Sequence, residues 1–158
     1  MRKKTKVLAF VAGLVMLLNS CKKDAEEIDT IYPVIDVTAQ DAFPKQCSVL
    51  KRGSKFMFVA TLSDNRELGS VSVDIHHNFD HHTHSTEVVD CSLEAVKTPV
   101  KPFLLIKDFT VPAGQKTFRV AQEISVPADV DAGDYHFLIR LTDKEGWQTI
   151  KGLSIKIN

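Results

Sequence analysis

From Ile31 to the C-terminus, apolar and polar side chains alternate with a period of two. That period gives an extended chain one face to bury and one to expose, whereas a helix needs apolar residues every 3.6 positions. Residues 54–62 carry Phe56, Phe58, Val59 and Thr61, and Val71, Val73 and Ile75 alternate with Ser72, Asp74 and His76. Phe118, Val120, Ile124 and Val126, then Tyr135, Phe137, Ile139 and Leu141, then Leu153, Ile155 and Ile157 continue the pattern. These runs are rich in β-branched and aromatic residues, which fit a pleated, half-buried surface. Between them stand turn formers: Ser63-Asp64-Asn65, Pro112-Ala113-Gly114, Pro127-Ala128-Asp129, Asp131-Ala132-Gly133 and Asp143-Lys144-Glu145-Gly146. No segment shows a helical stripe, and residues 85–95 fit neither period. Seven to eight short strands with one polar face each predict an all-β fold, an antiparallel β-sandwich.

The start of the chain has a different grammar. Residues 1–20 contain Arg2, Lys3, Lys4 and Lys6 and no acid, and residues 7–18 carry no charge. Twelve residues span roughly 18 Å as a helix, short of the ~30 Å hydrocarbon core, so residues 1–20 read as a signal peptide and not a membrane span. Leu18-Asn19-Ser20-Cys21 resembles a bacterial lipobox, although Asn19 stands where a small or apolar residue is usual. The resemblance implies that Cys21 receives a diacylglycerol; an ordinary secretion signal is the alternative. Residues 21–30, with Lys22-Lys23-Asp24-Ala25-Glu26-Glu27, form a polar lipidated tether, and residues 31–158 form the domain. Acidic residues just behind the cysteine resemble the surface-export signals of Bacteroidetes lipoproteins. The expected location is extracytoplasmic, lipid-anchored to the outer membrane on its periplasmic face or the cell surface. Without the first twenty residues the chain has 16 basic and 20 acidic side chains, a net −4. Nucleic acid is therefore excluded as a partner.

Tyr32-Pro33-Val34-Ile35, Gly53-Ser54-Lys55-Phe56 through Leu68-Gly69-Ser70-Val71-Ser72-Val73, and Ala132-Gly133-Asp134-Tyr135 through Asp143-Lys144-Glu145-Gly146 resemble the first strand, the B–C region and the F–G hairpin of bacterial immunoglobulin-like domains. With the lipobox and the histidines described below, the chain resembles a Bacteroidetes-type lipoprotein family of unknown function. It departs from antibody domains in placing Trp147 at the start of the last strand and in having no cysteine on strand F. Cys47 and Cys91 remain once Cys21 is lipidated, and an even count in an oxidising compartment favours a disulfide, with two buried thiols, or thiolate ligands for a metal, as the alternatives. Fold alone implies no chemistry.

Five of the six histidines, His76, His77, His81, His82 and His84, fall within nine residues. Imidazole is a common ligand for Zn, Cu and Ni. Asp74, Asp80 and Glu87 are near enough in sequence to add oxygen ligands or orient the rings. If Val71, Val73 and Ile75 face the core, His76 faces outward and His77 continues the inner face at the rim. His82 and His84 share a face if extended, and a bend near Asn78-Phe79-Asp80 is needed to gather more than three rings. His136 lies between inward-facing Tyr135 and Phe137, so it too faces outward, and adjacency of the two strands would set it beside His76. The expected metal site is His76, His77, His81, His82, His84 and His136, with Zn or Cu as the cofactor. A solvated hairpin, a pH switch and a haem ligand are the competing readings.

Nothing in the chain supplies a Gly-x-Ser-x-Gly elbow, a His-Glu-x-x-His pair or a glycine-rich phosphate loop, so the chain reads as a non-enzyme. Asp64-Asn65 and Asp143-Lys144-Glu145-Gly146 could hold calcium, but as turns they need no ion. Two functions remain open. One is a lipid-anchored metal-binding protein for storage, buffering or delivery of Zn or Cu. The other is an adhesive or structural immunoglobulin-like module whose partner is a glycan or envelope protein. A metal-dependent hydrolase stands behind both.

Overall fold

The computed structural model describes residues 28–84 and 91–158; the expected signal peptide, Cys21 and Glu87 lie outside them. Eight strands follow in chain order: β1 (Val34–Asp36), β2 (Ser48–Leu50), β3 (Lys55–Ser63), β4 (Leu68–His77), β5 (Leu105–Phe109), β6 (Thr117–Ser125), β7 (Gly133–Asp143) and β8 (Gln148–Ile157). They form a three-stranded sheet, β1-β3-β6, and a five-stranded sheet, β2-β8-β7-β4-β5. Among the described residues there is no helix.

The period of two decides which side chains meet. On β4, Val71, Val73 and Ile75 are buried, and on β7 so are Tyr135, Phe137, Ile139 and Leu141. The two sheets share one core: the Phe58 ring of β3 lies 5.4 Å from Phe137 of β7 and 5.8 Å from Phe109 of β5. Burying an aromatic ring of this kind contributes about 2–3 kcal/mol relative to leaving it exposed.

Three features differ from the sequence expectation. The sheets are not wholly antiparallel, because β2 runs parallel to β8, pairing Ser48 with Ile155 and Leu50 with Ile157. A parallel neighbour needs a long crossover, and here the whole chain between β2 and β8 provides it. Neither β2 nor β5 is announced by alternation: three residues cannot display a period, and β5 is an edge strand with exposed Ile106, Lys107 and Asp108. The third difference is His136, which points away from the inter-sheet core yet has 0% exposure. Its cover is the segment that follows β4.

The chain does not turn directly into β5, and the described residues that follow β4, 78–84 and 91–104, are strapped over the end of the five-stranded sheet. Asn78 N–H donates to the Asp134 carbonyl at 2.8 Å, and Lys97 N–H donates to the Phe79 carbonyl at 3.1 Å. Glu94 N–H donates to Asp134 Oδ2 at 2.7 Å, and Lys156 pairs with Asp134 at 3.1 Å. The Lys97 ammonium donates to the Ala132 carbonyl and lies 4.4 Å from the Phe79 ring centroid. Cys91 is disulfide-bonded to Cys47, which precedes β2 and donates its N–H to the Ser154 carbonyl of β8. The disulfide therefore ties the far side of the histidine segment to the edge of the sheet.

At the other end of β4 and β7 the register shifts between Leu68 and Ser70. A Cβ on Gly69 would lie 2.5 Å from the Asp143 carbonyl oxygen and 2.9 Å from that of Thr142, both backbone atoms. Gly69→Ala should destabilise the domain by about 1–3 kcal/mol, the cost of forcing packed backbone apart. A urea unfolding midpoint equal to that of the unsubstituted chain would show that the irregularity relaxes freely.

Candidate metal centre

Strand pairing places the first two histidines. His76 of β4 and His136 of β7 are directly opposed, with ring centroids 5.3 Å apart. Both stand on the face opposite the core, as Ile75 and Phe137 are buried on the inner one.

A reversal of the backbone brings two more. His81 N–H donates to the Asn78 carbonyl at 3.3 Å, and His81 has φ of 58°. This left-handed conformation is uncommon for a residue with a Cβ and costs of order 1–2 kcal/mol. It turns the chain back over the sheet, so His82 and His84 reach His76 and His136. Centroid separations among these four rings run from 4.6 Å (His84–His136) to 5.5 Å (His76–His82). One nitrogen from each of His76, His82, His84 and His136 falls in a set whose members lie within 4.8 Å of one another. Four nitrogens ~2.1 Å from one tetrahedral ion stand ~3.4 Å apart. Side-chain adjustment of about an ångström therefore converts this set into a ligand shell.

The surrounding hydrogen bonds choose the tautomers. His76 Nδ1–H donates to Asp74 Oδ1 at 2.8 Å, and His82 Nδ1–H donates to Asp80 Oδ1 at 2.6 Å. In each ring the lone pair is then on Nε2, and the carboxylate fixes the ring's orientation. The His82 bond also holds the Asp80 carboxyl below the ordinary carboxylate range. His76 Nε2 and His84 Nε2 face each other at 3.1 Å, so at most one proton lies between them. His136 Nε2–H donates to the His82 carbonyl at 3.2 Å, which places that ring's lone pair on Nδ1.

His77 and His81, expected in the site, stand apart from it. His77 faces the inner side at the rim, opposite Tyr135, with its ring 5.0 Å from Phe79. Successive residues of a regular strand point to opposite faces, so His77 cannot follow His76. His81 is the residue of the reversal, and its ring turns outward to donate from Nε2 to the Glu94 carbonyl at 2.9 Å. Glu94 had no signal in the sequence, since it enters through its backbone. A second group of candidate ligands, Asp29, Asp143 and Glu145, lies at the opposite end of β7.

Fold and site together define an all-β domain of two sheets that gathers four histidines on the outer face of the larger sheet. The chain belongs to the DUF4625 family, a domain of unknown function that matches residues 19–158. No curated protein matches it significantly. Among solved structures it is similar to a GspB Siglec domain, with 21% identity and a TM-score of 0.43 over 82% of this chain and 59% of that one. It is also similar to Spo0M, a sporulation control protein from Bacillus subtilis, with 9% identity and a TM-score of 0.42 over 80% of this chain and 49% of that one. The chain thus spans less than two thirds of either structure, and likenesses this low bear on neither fold assignment nor function.

Proposed function

We propose that this protein is a lipid-anchored, extracytoplasmic domain that binds Zn or Cu through His76, His82, His84 and His136, for storage, buffering or delivery of the metal. The observation that carries the reading is the convergence of four imidazoles from three separate parts of the chain, two of them oriented by carboxylates. A set of nitrogens without thiolate suits Zn or Cu and not Mg or Ca, which prefer oxygen. Four protein ligands close a tetrahedral shell, whereas catalytic zinc sites keep a position for water, which argues for holding the metal over hydrolysis.

The domain is read as an immunoglobulin-like β-sandwich. Its strand order supports this: β1, β3 and β6 correspond to strands A, B and E, and β4, β7 and β8 to C, F and G. Tyr135 supports it further, donating from its hydroxyl to the Asp131 carbonyl four residues upstream at 2.7 Å, in the manner of a tyrosine corner.

Calorimetric titration of the full chain in detergent with Zn and with Cu tests the reading. Micromolar or tighter binding of at least one is expected. Dissociation constants no tighter than millimolar for both would favour the adhesive module, with the histidines incidental. Asp74→Asn should weaken binding about 10–100-fold, the usual effect of losing the carboxylate behind a metal-binding imidazole. Equal affinity in the same titration would show that Asp74 only solvates His76. For the anchor, Cys21→Ser should leave the protein unlipidated and move it from the membrane to the soluble fraction. Retention in membranes with unchanged electrophoretic mobility would dispose of the lipid anchor.

A further inference from the structure

Seven residues along β7 from His136, about 23 Å away, Asp143 ends the strand among groups of different chemistry. One carboxylate oxygen from each of Asp29, Asp143 and Glu145 lies within 4.8 Å of the other two. Asp29 and Asp143 are each only 4% exposed. Asp143 Oδ1 accepts from Gly146 N–H at 2.6 Å and Trp147 N–H at 2.7 Å, which accounts for the turn. The turn does not account for Asp143 Oδ2, which is buried without a hydrogen-bond partner. Asp29 repeats the pattern: Oδ1 accepts from Ile31 N–H at 3.0 Å and Asn65 Nδ2–H at 3.1 Å, while Oδ2 is buried without a hydrogen bond. Arg66 Nε lies 3.8 Å from Asp29 Oδ2, beyond hydrogen-bond reach. A buried acceptor left without a partner is costly, and two buried carboxylates this close repel.

We propose that Asp29, Asp143 and Glu145 form a second cation site, selective for a calcium-type ion and independent of the histidine centre. The donors are hard oxygens, and a set of three carboxylates suits Ca2+ over Mg2+, which usually takes one or two carboxylates in a strict octahedron. The site also has a mechanical consequence. On the lipid-anchored reading proposed above, Asp29 belongs to the tether, and Trp147 Nε1–H donates to the Asp29 carbonyl at 2.8 Å while the Tyr32 and Trp147 rings lie 4.9 Å apart. An ion bridging Asp29 to Asp143 therefore clamps the end of the tether onto the turn between β7 and β8 and restricts how the domain sits on its anchor.

Trp147 is the single tryptophan and hydrogen-bonds both the Asp143 carboxylate and the Asp29 backbone carbonyl, which makes it a built-in sensitiser for terbium. The full chain in detergent, stripped with chelator, is titrated with Tb3+, and the bound Tb3+ is then displaced with Ca2+ or Mg2+. Expected are tryptophan-sensitised luminescence, displacement by Ca2+ at concentrations at least tenfold below those of Mg2+, and a raised thermal midpoint in Ca2+. Glu145→Gln, at an exposed position that leaves the fold alone, should weaken Tb3+ and Ca2+ at least tenfold. Asp143→Asn should abolish the signal, and His76→Ala should leave it unchanged. No sensitised luminescence, or the same Ca2+ affinity in Glu145→Gln as in the unsubstituted chain, overturns the site. Loss of Zn or Cu binding in the same preparations would count only against the histidine centre.

Discussion

Replacing His136 with alanine is expected to lower affinity for Zn or Cu by about 100-fold or more, as much as His76→Ala does. His136 is 54 residues beyond His82, yet it stands directly opposite His76 on the neighbouring strand and its ring centroid is 4.8 Å from that of His82. Removing one of four nitrogens leaves an open shell, a larger loss than the 10–100-fold typical of an outer partner. His81→Ala should bind as the parent does, because that ring donates to the Glu94 carbonyl outside the cluster. Lys116→Ala, on the opposite sheet's edge turn, serves as a second control. The measurement is calorimetric titration beside a thermal melt, since truncating a fully buried ring also creates a cavity. If His136→Ala melts normally and binds as tightly as the parent, the site lies wholly in the segment after β4 and the strand pairing has no part in it.

The same centre should weaken in acid. Imidazole must be deprotonated to ligate, so affinity should fall as pH drops below about 6. The Asp80 carboxylate follows later: its folded-state pKa is depressed by the His82 hydrogen bond. Its contribution is therefore complete above about pH 4 and is lost only as pH falls through the lower folded value. A single acid transition in metal affinity at neutral-to-mildly-acid pH, well above the loss of Asp80, is the expected profile.

The second large effect concerns the disulfide. Substituting Cys47 and Cys91 with serine should cost about 4 kcal/mol, because the bond closes a loop with a 44-residue separation and removes that freedom from the unfolded chain. For a domain of this size the thermal midpoint should fall by roughly 10–15 °C. The variant should also bind metal more weakly, since Cys91 anchors the segment that carries His82 and His84. Calorimetric melting with matched titration checks both. A midpoint within ~2 °C of the parent would mean that the remaining bonds of the strap, above all those to Asp134, already hold the segment.

Much of the architecture was legible because alternation is a local signal. Val71, Val73 and Ile75 or Tyr135, Phe137 and Ile139 need no partner to declare which face they bury. The short β2 and the charged β5 were not legible. Their strand character comes from hydrogen bonds to β8 and β4, and no side-chain period reports it. At the site, parity along the strands separated His76 from His77 and put His136 on the outer face. Parity could not say that His136 would be buried, because its cover is supplied by residues that follow β4 in the chain.

The sequence by itself determined the all-β class, the face on which each strand histidine stands and the density of imidazole between residues 76 and 84. Only the tertiary structure decided which rings meet. The reversal at His81 sends His82 and His84 back over the sheet, turns the His81 ring away and brings four imidazoles into one group. It likewise set Asp29 against Asp143 and Glu145, more than a hundred residues later. Side-chain parity is fixed by neighbours in the chain. Convergence depends on where loops and registers place distant backbone, and those positions are set by the packing of the whole domain.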